Sequence, residues 1–432
     1  MKGIRKISDK VQALLKANGI KKYAYRIVEK ETRELTAENG EFNLLRTLFD
    51  NNAMVSAFKD GKNGVVTGND FSDAGLEALV KSAVLSAESA VKDNAHDIAP
   101  AQEEAKFRQG CATPDFDRFF ERIKELLSDI RTEYPKIQIM SVIGEFVKVH
   151  SLYKNSNGVD FEENAGQYVV IVEFSGHDGD RTTSLDASSI QMKDLEQRFI
   201  DMGNIRYHLD NAQKQLEQIP VTGKFTGSVI CTPELFADLM MMAVGNFISD
   251  AVLIDGTSIW KNKIGKKVAS DKLTVVLKSY DKRIVIGERF TADGFRTEDL
   301  PLIEKGVLKN FRIGLYASKK TKKPVSKNSS GDLVVNPGKT PLEQMIAGVK
   351  RGLIVGGFSG GKPSANGEFS GVAKNSYYIE DGKIKGAVSE LMINGNLAKA
   401  LMDISSISKE TVADGGIVVP YVCLENIVVS GK

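Results

Sequence analysis

The 432 residues predict an α+β protein of two domains, and three features of their order point that way. Up to about residue 218, helical and strand patterns alternate. After Ile219-Pro220-Val221-Thr222-Gly223 the chain turns to short strand-like runs separated by glycine turns. Only two helix starts interrupt that second half, and both read Thr-Pro. The expected division is 1–218, an α/β domain with helices packed on a sheet, and 219–432, a mostly β domain, sheet- or barrel-like, with a few helices.

Each element has a local reason. Ser8 can cap a short helix carrying Val11, Leu14 and Leu15, which Asn18-Gly19 would stop. Strands follow at Tyr23–Val28, Met54–Phe58 and Gly64–Thr67. Leu76, Leu79, Val80, Ala83, Val84 and Ala87 recur at helical spacing, giving a surface helix with one buried stripe. Residues 94–109 are polar and read as a loop. Thr113-Pro114-Asp115 opens a helix whose apolar face runs from Phe116 to Ile130 and which Pro135 ends. Two long alternating runs, Ile137–Tyr153 and Val159–Ser175, flank Asn155-Ser156-Asn157-Gly158, a hairpin signal. Residues 194–215 read as one more helix. In the second half Thr232-Pro233-Glu234 and Thr340-Pro341-Leu342-Glu343 start helices, the latter as a capping box with Glu343 reaching back to the Thr340 amide. LTVVLKSY, RIVIGERF, GVLKNFRIGLY and GVAKNSYYIEDGKIKGAV read as strands.

Composition narrows the class. Hydrophobic residues make up 42% and charged residues 26%, ordinary for a globular chain. No continuous apolar run reaches the ~18–20 residues of a membrane span, and the N-terminus lacks a signal-peptide core. Three separated cysteines (Cys111, Cys231, Cys423) form neither a CxxC nor a disulfide framework, so a reducing, cytoplasmic setting is expected. A net charge of +2 with interspersed signs argues against a nucleic-acid partner. The one dense basic run, Lys319 to Lys327, reads as an exposed loop or as a contact for an acidic partner.

The chemical motifs are sparse. His96, His150, His177 and His208 show no ligand spacing, and His150 and His208 read as structural. His177-Asp178-Gly179-Asp180 could hold a cation or simply turn the chain. Gly356-Gly357-Phe358-Ser359-Gly360-Gly361-Lys362-Pro363 is not a phosphate loop, because Pro363 occupies the hydroxyl position and no helix follows. No Gly-x-Ser-x-Gly elbow is present.

Three stretches resemble the TldD/PmbA family: Met54–Ala90, Gly287–Tyr316 (GERFTADGFRTEDLPLIEKGVLKNFRIGLY) and Thr340–Leu397, which contains the glycine-rich segment and the IEDGKI hairpin. The resemblance implies a two-domain dimeric protein of a metallopeptidase family, also labelled a modulator of DNA gyrase, acting on small or unfolded peptides. One branch carries HExxxH on a helix of the C-terminal domain. Here that helix is Glu234–Asn246, and the alignment sets Met241 at the first histidine, Met242 at the glutamate and Asn246 at the second histidine.

Thioethers and an amide are poor zinc donors, and without the glutamate no general base serves a metal-bound water. The resemblance therefore implies the PmbA/TldE-like branch, a subunit with no metal, no cofactor and no catalytic residues. Its expected partners are a catalytic TldD-like subunit, bound through the C-terminal domain, or a second copy, together with a peptide substrate. Gly356, Gly357, Ser359, Gly360 and Gly361 are the candidate peptide-channel residues. Cys423, in a strand-like tail, reads as a core residue rather than a third ligand. Two alternatives remain: a peptidase acting through another site near His177 and Asp180, or a homodimeric scaffold.

Overall fold

In the computed structural model, which describes residues 3–389 and 391–431, strands from residues 22–192 form one sheet and strands from residues 224–430 a second. The first begins after helix α1 (Ile4–Ala17). It contains β1 (Lys22–Glu38), β2 (Glu41–Lys59), β3 (Lys62–Gly68), β4 (Ala105–Gly110), β5 (Ile137–Asn155), β6 (Asp160–Asp178), β7 (Arg181–Thr182) and β8 (Asp186–Met192). Their order is β3-β2-β1-β5-β6-β4, with β7 and β8 also on β6. Neighbours are antiparallel except β4, which runs parallel to β6.

Two helix pairs bury one stripe each. α1 and α2 (Asp73–Ser89) cover Tyr25, Ile27, Ala53 and Val55. α3 (Phe116–Glu133) and α4 (Ile205–Lys214) cover Val142, Phe146, Val170 and Phe174. The close approach of α2 to β3 needs Gly64, where a Cβ would lie 2.2 Å from the Ala87 nitrogen.

The second sheet contains β9 (Lys224–Cys231), β10 (Val275–Leu277), β11 (Leu300–Glu304), β12 (Val307–Leu308), β13 (Leu333–Val335), β14 (Arg351–Gly361), β15 (Glu368–Glu380), β16 (Lys383–Val388), β17 (Leu391–Asn396), β18 (Ile404–Ala413) and β19 (Val418–Ser430). Pairing of β19 with both β17 and β9 closes β9-β14-β15-β17-β19 into a barrel. A ribbon of β13, β10, β11 and β12 leaves from the start of β19.

Helix α5 (Pro233–Ala243) continues through a π-helical turn, Val244–Ile248, into α6 (Asp250–Ile254). Leu235, Phe236, Leu239, Met240, Ala243 and Phe247 pack on Val229, Leu353, Val355, Val422 and Val429. Burial of each large side chain there contributes about 1.5–3 kcal/mol. The stretch Pro233–Ile254 is long and apolar enough to cross a membrane, and 44% of that window is buried, its inner face in this core. The shorter helices are α7 (Leu315–Thr321), α8 (Leu342–Ala347) and α9 (Leu397–Met402).

The α+β class with a barrel-like second half is as the sequence predicts, but several local readings change. Gly3, not Ser8, precedes α1; Ile4 and Ile7 extend the apolar stripe backwards, and Ser8 is buried, its hydroxyl 2.9 Å from that of Tyr25. The polar stretch 94–109 ends in β4, because pairing with β6 supplies what its own sequence lacks. Asp115 rather than Thr113 caps α3. Residues 194–215 hold a single 3-10 turn and the shorter α4, separated at Gly203, whose φ is 56°.

In the second half RIVIGERF is not a strand. Its Val285 N–H bonds the Gly415 carbonyl, while Ile284 packs on Val334 and Val418. LTVVLKSY keeps only Val275–Leu277 as strand, and GVLKNFRIGLY divides between β12 and α7. Glu343 does not cap α8; the Glu410 carboxylate takes the Leu342 N–H at 3.0 Å instead. The basic run is no free loop either. Lys319 and Lys320 end α7 and pair with Asp97 and Asp93, and Lys327 pairs with Glu298. The Asp97 and Asp93 pairs, with Tyr153 and Phe161 packed on Phe290 and Phe295, tie the two halves together.

Candidate functional site

The outer face of α5 is set by the same spacing that buries its inner face. With Leu235, Phe236, Leu239, Met240 and Ala243 in the core, Asp238, Met241, Met242, Gly245 and Asn246 are left on the open side. Thr232 caps the helix through the Leu235 N–H, and Pro233 sits at its first turn. The π-helical turn that carries Asn246 is the kind of local irregularity that clusters at functional positions.

Opposite lies the glycine-rich segment, which is strand rather than a string of turns. Gly357 to Gly361 pair with Lys374 to Ser370 of β15. On its other edge β14 pairs with β9 only from Gly352 to Val355, so that edge is unpaired from Gly356 onward among the described residues. Ser359, Gly360 and Gly361 are exposed, and Gly360 has φ 113°. The two elements meet where the Asn246 amide donates to the Pro363 carbonyl at 2.7 Å. Thr232 Oγ1 approaches the Gly356 carbonyl at 3.4 Å. The motif-aligned residues and the candidate channel residues are therefore adjacent, linked through Asn246.

The chemistry of the donor set follows. Met242 packs against the core, Met241 is half-buried, and the Asn246 amide nitrogen is already engaged. Asp238 is exposed on this face, one turn from Glu234; burial pushes its pKa up, Lys362 partly offsets this, and Glu234 adds to it. Among the described residues no group of three His, Cys, Asp or Glu side chains could hold a metal ion. A catalytic zinc does not fit these residues.

The remaining sequence candidates are placed elsewhere. Cys423 is buried at 2% exposure, and burial holds its thiol well above the usual range, up to about 12. His150 lies 2.8 Å from Glu162 on the first sheet. At the 177–180 turn His177 contacts the Ser175 and Thr182 hydroxyls, and Asp178 pairs with Lys136 and Arg181. Gly179 takes a positive φ, so a tight turn accounts for this segment.

His208 is more consequential. It bonds Asp186 at 3.2 Å and lies 3.6 Å from Glu234 on the first turn of α5, tying the first sheet to the motif helix. Its neighbours are 22 and 26 positions away in sequence, so only the polar helix that carries it was visible beforehand.

Two models of one family match the chain: the PmbA/TldA metallopeptidase C-terminal domain over residues 222–431 and its domain 1 over residues 25–87, together well over half the length. The chain belongs to the PmbA/TldD family. A metalloprotease of Methanothermobacter thermautotrophicus is 24% identical over 49% of this chain, which spans about half (51%) of that relative's length. TldE from Thermococcus kodakarensis shares the fold, with a TM-score of 0.83 at 19% identity, covering 98% of this chain and 100% of that one. A proposed modulator of DNA gyrase from Bacteroides thetaiotaomicron does so with a TM-score of 0.85 at 21% identity, each chain covered completely (100%). In a PmbA/TldD chain, then, α5 carries no zinc-binding triplet, and its amide reaches across to the glycine-rich strand.

Proposed function

We propose that this chain is a non-catalytic, PmbA/TldE-type subunit of a cytoplasmic peptidase assembly acting on small or unfolded peptides. One observation carries the reading: the helix that aligns with the metal motif offers Met241, Met242 and Asn246, and the Asn246 amide serves as a structural strut to Pro363. Two thioethers and an amide cannot assemble a hydrolytic zinc centre, and no carboxylate stands at the general-base position.

The free edge of β14 supports a peptide-holding role. An extended peptide can add to such an edge by main-chain hydrogen bonds, and small residues let it approach closely. Recognition through the main chain favours breadth over sequence selectivity. A catalytic TldD-like subunit, or a second copy of this chain, would complete the assembly.

The test is peptidase turnover on unfolded peptides by the purified chain alone and together with a metal-binding relative from the same cells. The expected result is no turnover alone and activity only in the mixture. Chelator-sensitive turnover by the isolated chain would overturn the reading. The hydrogen bonds and ion pairs at His177 and Asp178 leave no comparable support for a separate site there.

A further inference from the structure

Beyond the end of the motif helix lies a cavity of about 440 Å³ that the peptide reading leaves unused, lined among others by Asp250, Thr291, Asp293, Arg312, Asn328 and Ser329. It gathers charges of both signs and keeps them apart. Asp250 accepts the Gly314 N–H at 2.9 Å through one oxygen, and Asp293 accepts the Leu315 N–H at 2.7 Å through one of its own. The second oxygen of each has no protein donor among the described residues.

Arg312 donates Nη2 to the Ser329 carbonyl and its backbone N–H to the Ile248 carbonyl, while its buried Nε has no acceptor. Among the described residues, neither Arg312 nor the two aspartates make an ion pair within 4.0 Å. Opposite charges lining one cavity gain by pairing, and holding them apart forgoes that gain. Here backbone bonds turn the carboxylates toward residues 314–315 and the guanidinium toward residue 329.

Glycine is needed at 314, since a Cβ there would lie 2.7 Å from an Asp293 oxygen and 3.4 Å from one of Asp250. Burial holds the Asp293 carboxyl above its usual range, the Leu315 N–H offsets part of this, and the neighbouring Asp250 adds to it. Separated, unpaired charges in a cavity are an arrangement that meets charge from outside.

We propose that this cavity binds a free α-amino acid, its carboxylate on the open N–H groups of Arg312 and its ammonium between Asp250 and Asp293. Thr291, Asn328 and Ser329 supply polar walls for the remainder. The ligand chemistry is the same whether the amino acid comes from the cellular pool or from peptide cleavage. The inference stands apart from the non-catalytic reading, because it uses none of the residues on the open face of α5.

Thermal melts of the full chain with each common L-amino acid, followed by titration calorimetry of the best one, test it. At least one should raise the melting temperature saturably, and its N-acetyl and C-amide forms should bind at least tenfold more weakly. Arg312→Gln and Asp293→Asn should each abolish the response; if one variant fails to fold, the other and the blocked ligands still decide. No stabilisation by any amino acid would overturn the proposal. So would equal binding of the blocked forms, or stabilisation by calcium or zinc with no effect of amino acids.

Discussion

His208 shows how a single side chain can join two sheets. Burial alone would lower its pKa, but the Asp186 hydrogen bond and the Glu234 carboxylate 3.6 Å away outweigh that and raise it to about 9. Its unfolded value lies near 6.5, so the protonated form is favoured by folding. The resulting stability is fully present below pH ~6.5 and is lost as pH rises through about 9; the shift corresponds to on the order of 3 kcal/mol. The midpoint of chemical denaturation should therefore fall between pH 6.5 and 9, and His208→Gln should flatten that slope while lowering stability at pH 6.5. An equal slope in the variant would remove His208 from this role.

At this scale the sequence was legible where a residue's own character decides. The buried Cys423 and the α2 stripe of Leu76 to Ala87 stand as read. It was silent where a distant partner decides: Ser8 answers to Tyr25, and the cap of α8 comes from Glu410, not Glu343.

Among the elements, α5 and β14 set the character of the candidate site. The helix could be read from its Thr-Pro start and apolar spacing. The strand could not, because its glycines have no side-chain pattern and its order comes from β15 and from the Asn246 strut. The same reason undid RIVIGERF in the opposite direction: an apolar run found packing partners without a strand to pair with.

If Asn246 is a strut, Asn246→Ala should leave overall stability within about 1–2 kcal/mol. Amide exchange should quicken in residues 357–367 and hardly change in the rest of the barrel. Unchanged protection across that segment would show that β14 holds itself in place.

For the whole molecule, the class was legible as a change of texture near residue 220, whereas the choice between open sheet and closed barrel was not, since it depends on β19 pairing with β9 and β17 at once. One surface feature bears on assembly. From Glu41 to Asn52, β2 pairs among the described residues with β1 alone and presents Leu45 at 73% and Phe49 at 60% exposure, flanked by exposed Leu44 and Leu48. That edge has no proline or lysine to block further pairing, and its one register irregularity, between Phe42 and Leu44, precedes Leu45 and Phe49. If the chain is a subunit, this strip is the surface expected to be covered. The double variant Leu45→Glu, Phe49→Glu should weaken association at least tenfold by sedimentation without loss of the folded state; association at wild-type strength would place the contact elsewhere.

The central claim, that α5 no longer builds a hydrolytic centre, is tested most directly by elemental analysis of the protein purified from its own cells without chelator. The account predicts zinc well below one atom per chain, unchanged by Met241→Ala or Asn246→Ala. A full zinc equivalent that is lost on replacing Asn246 would contradict it.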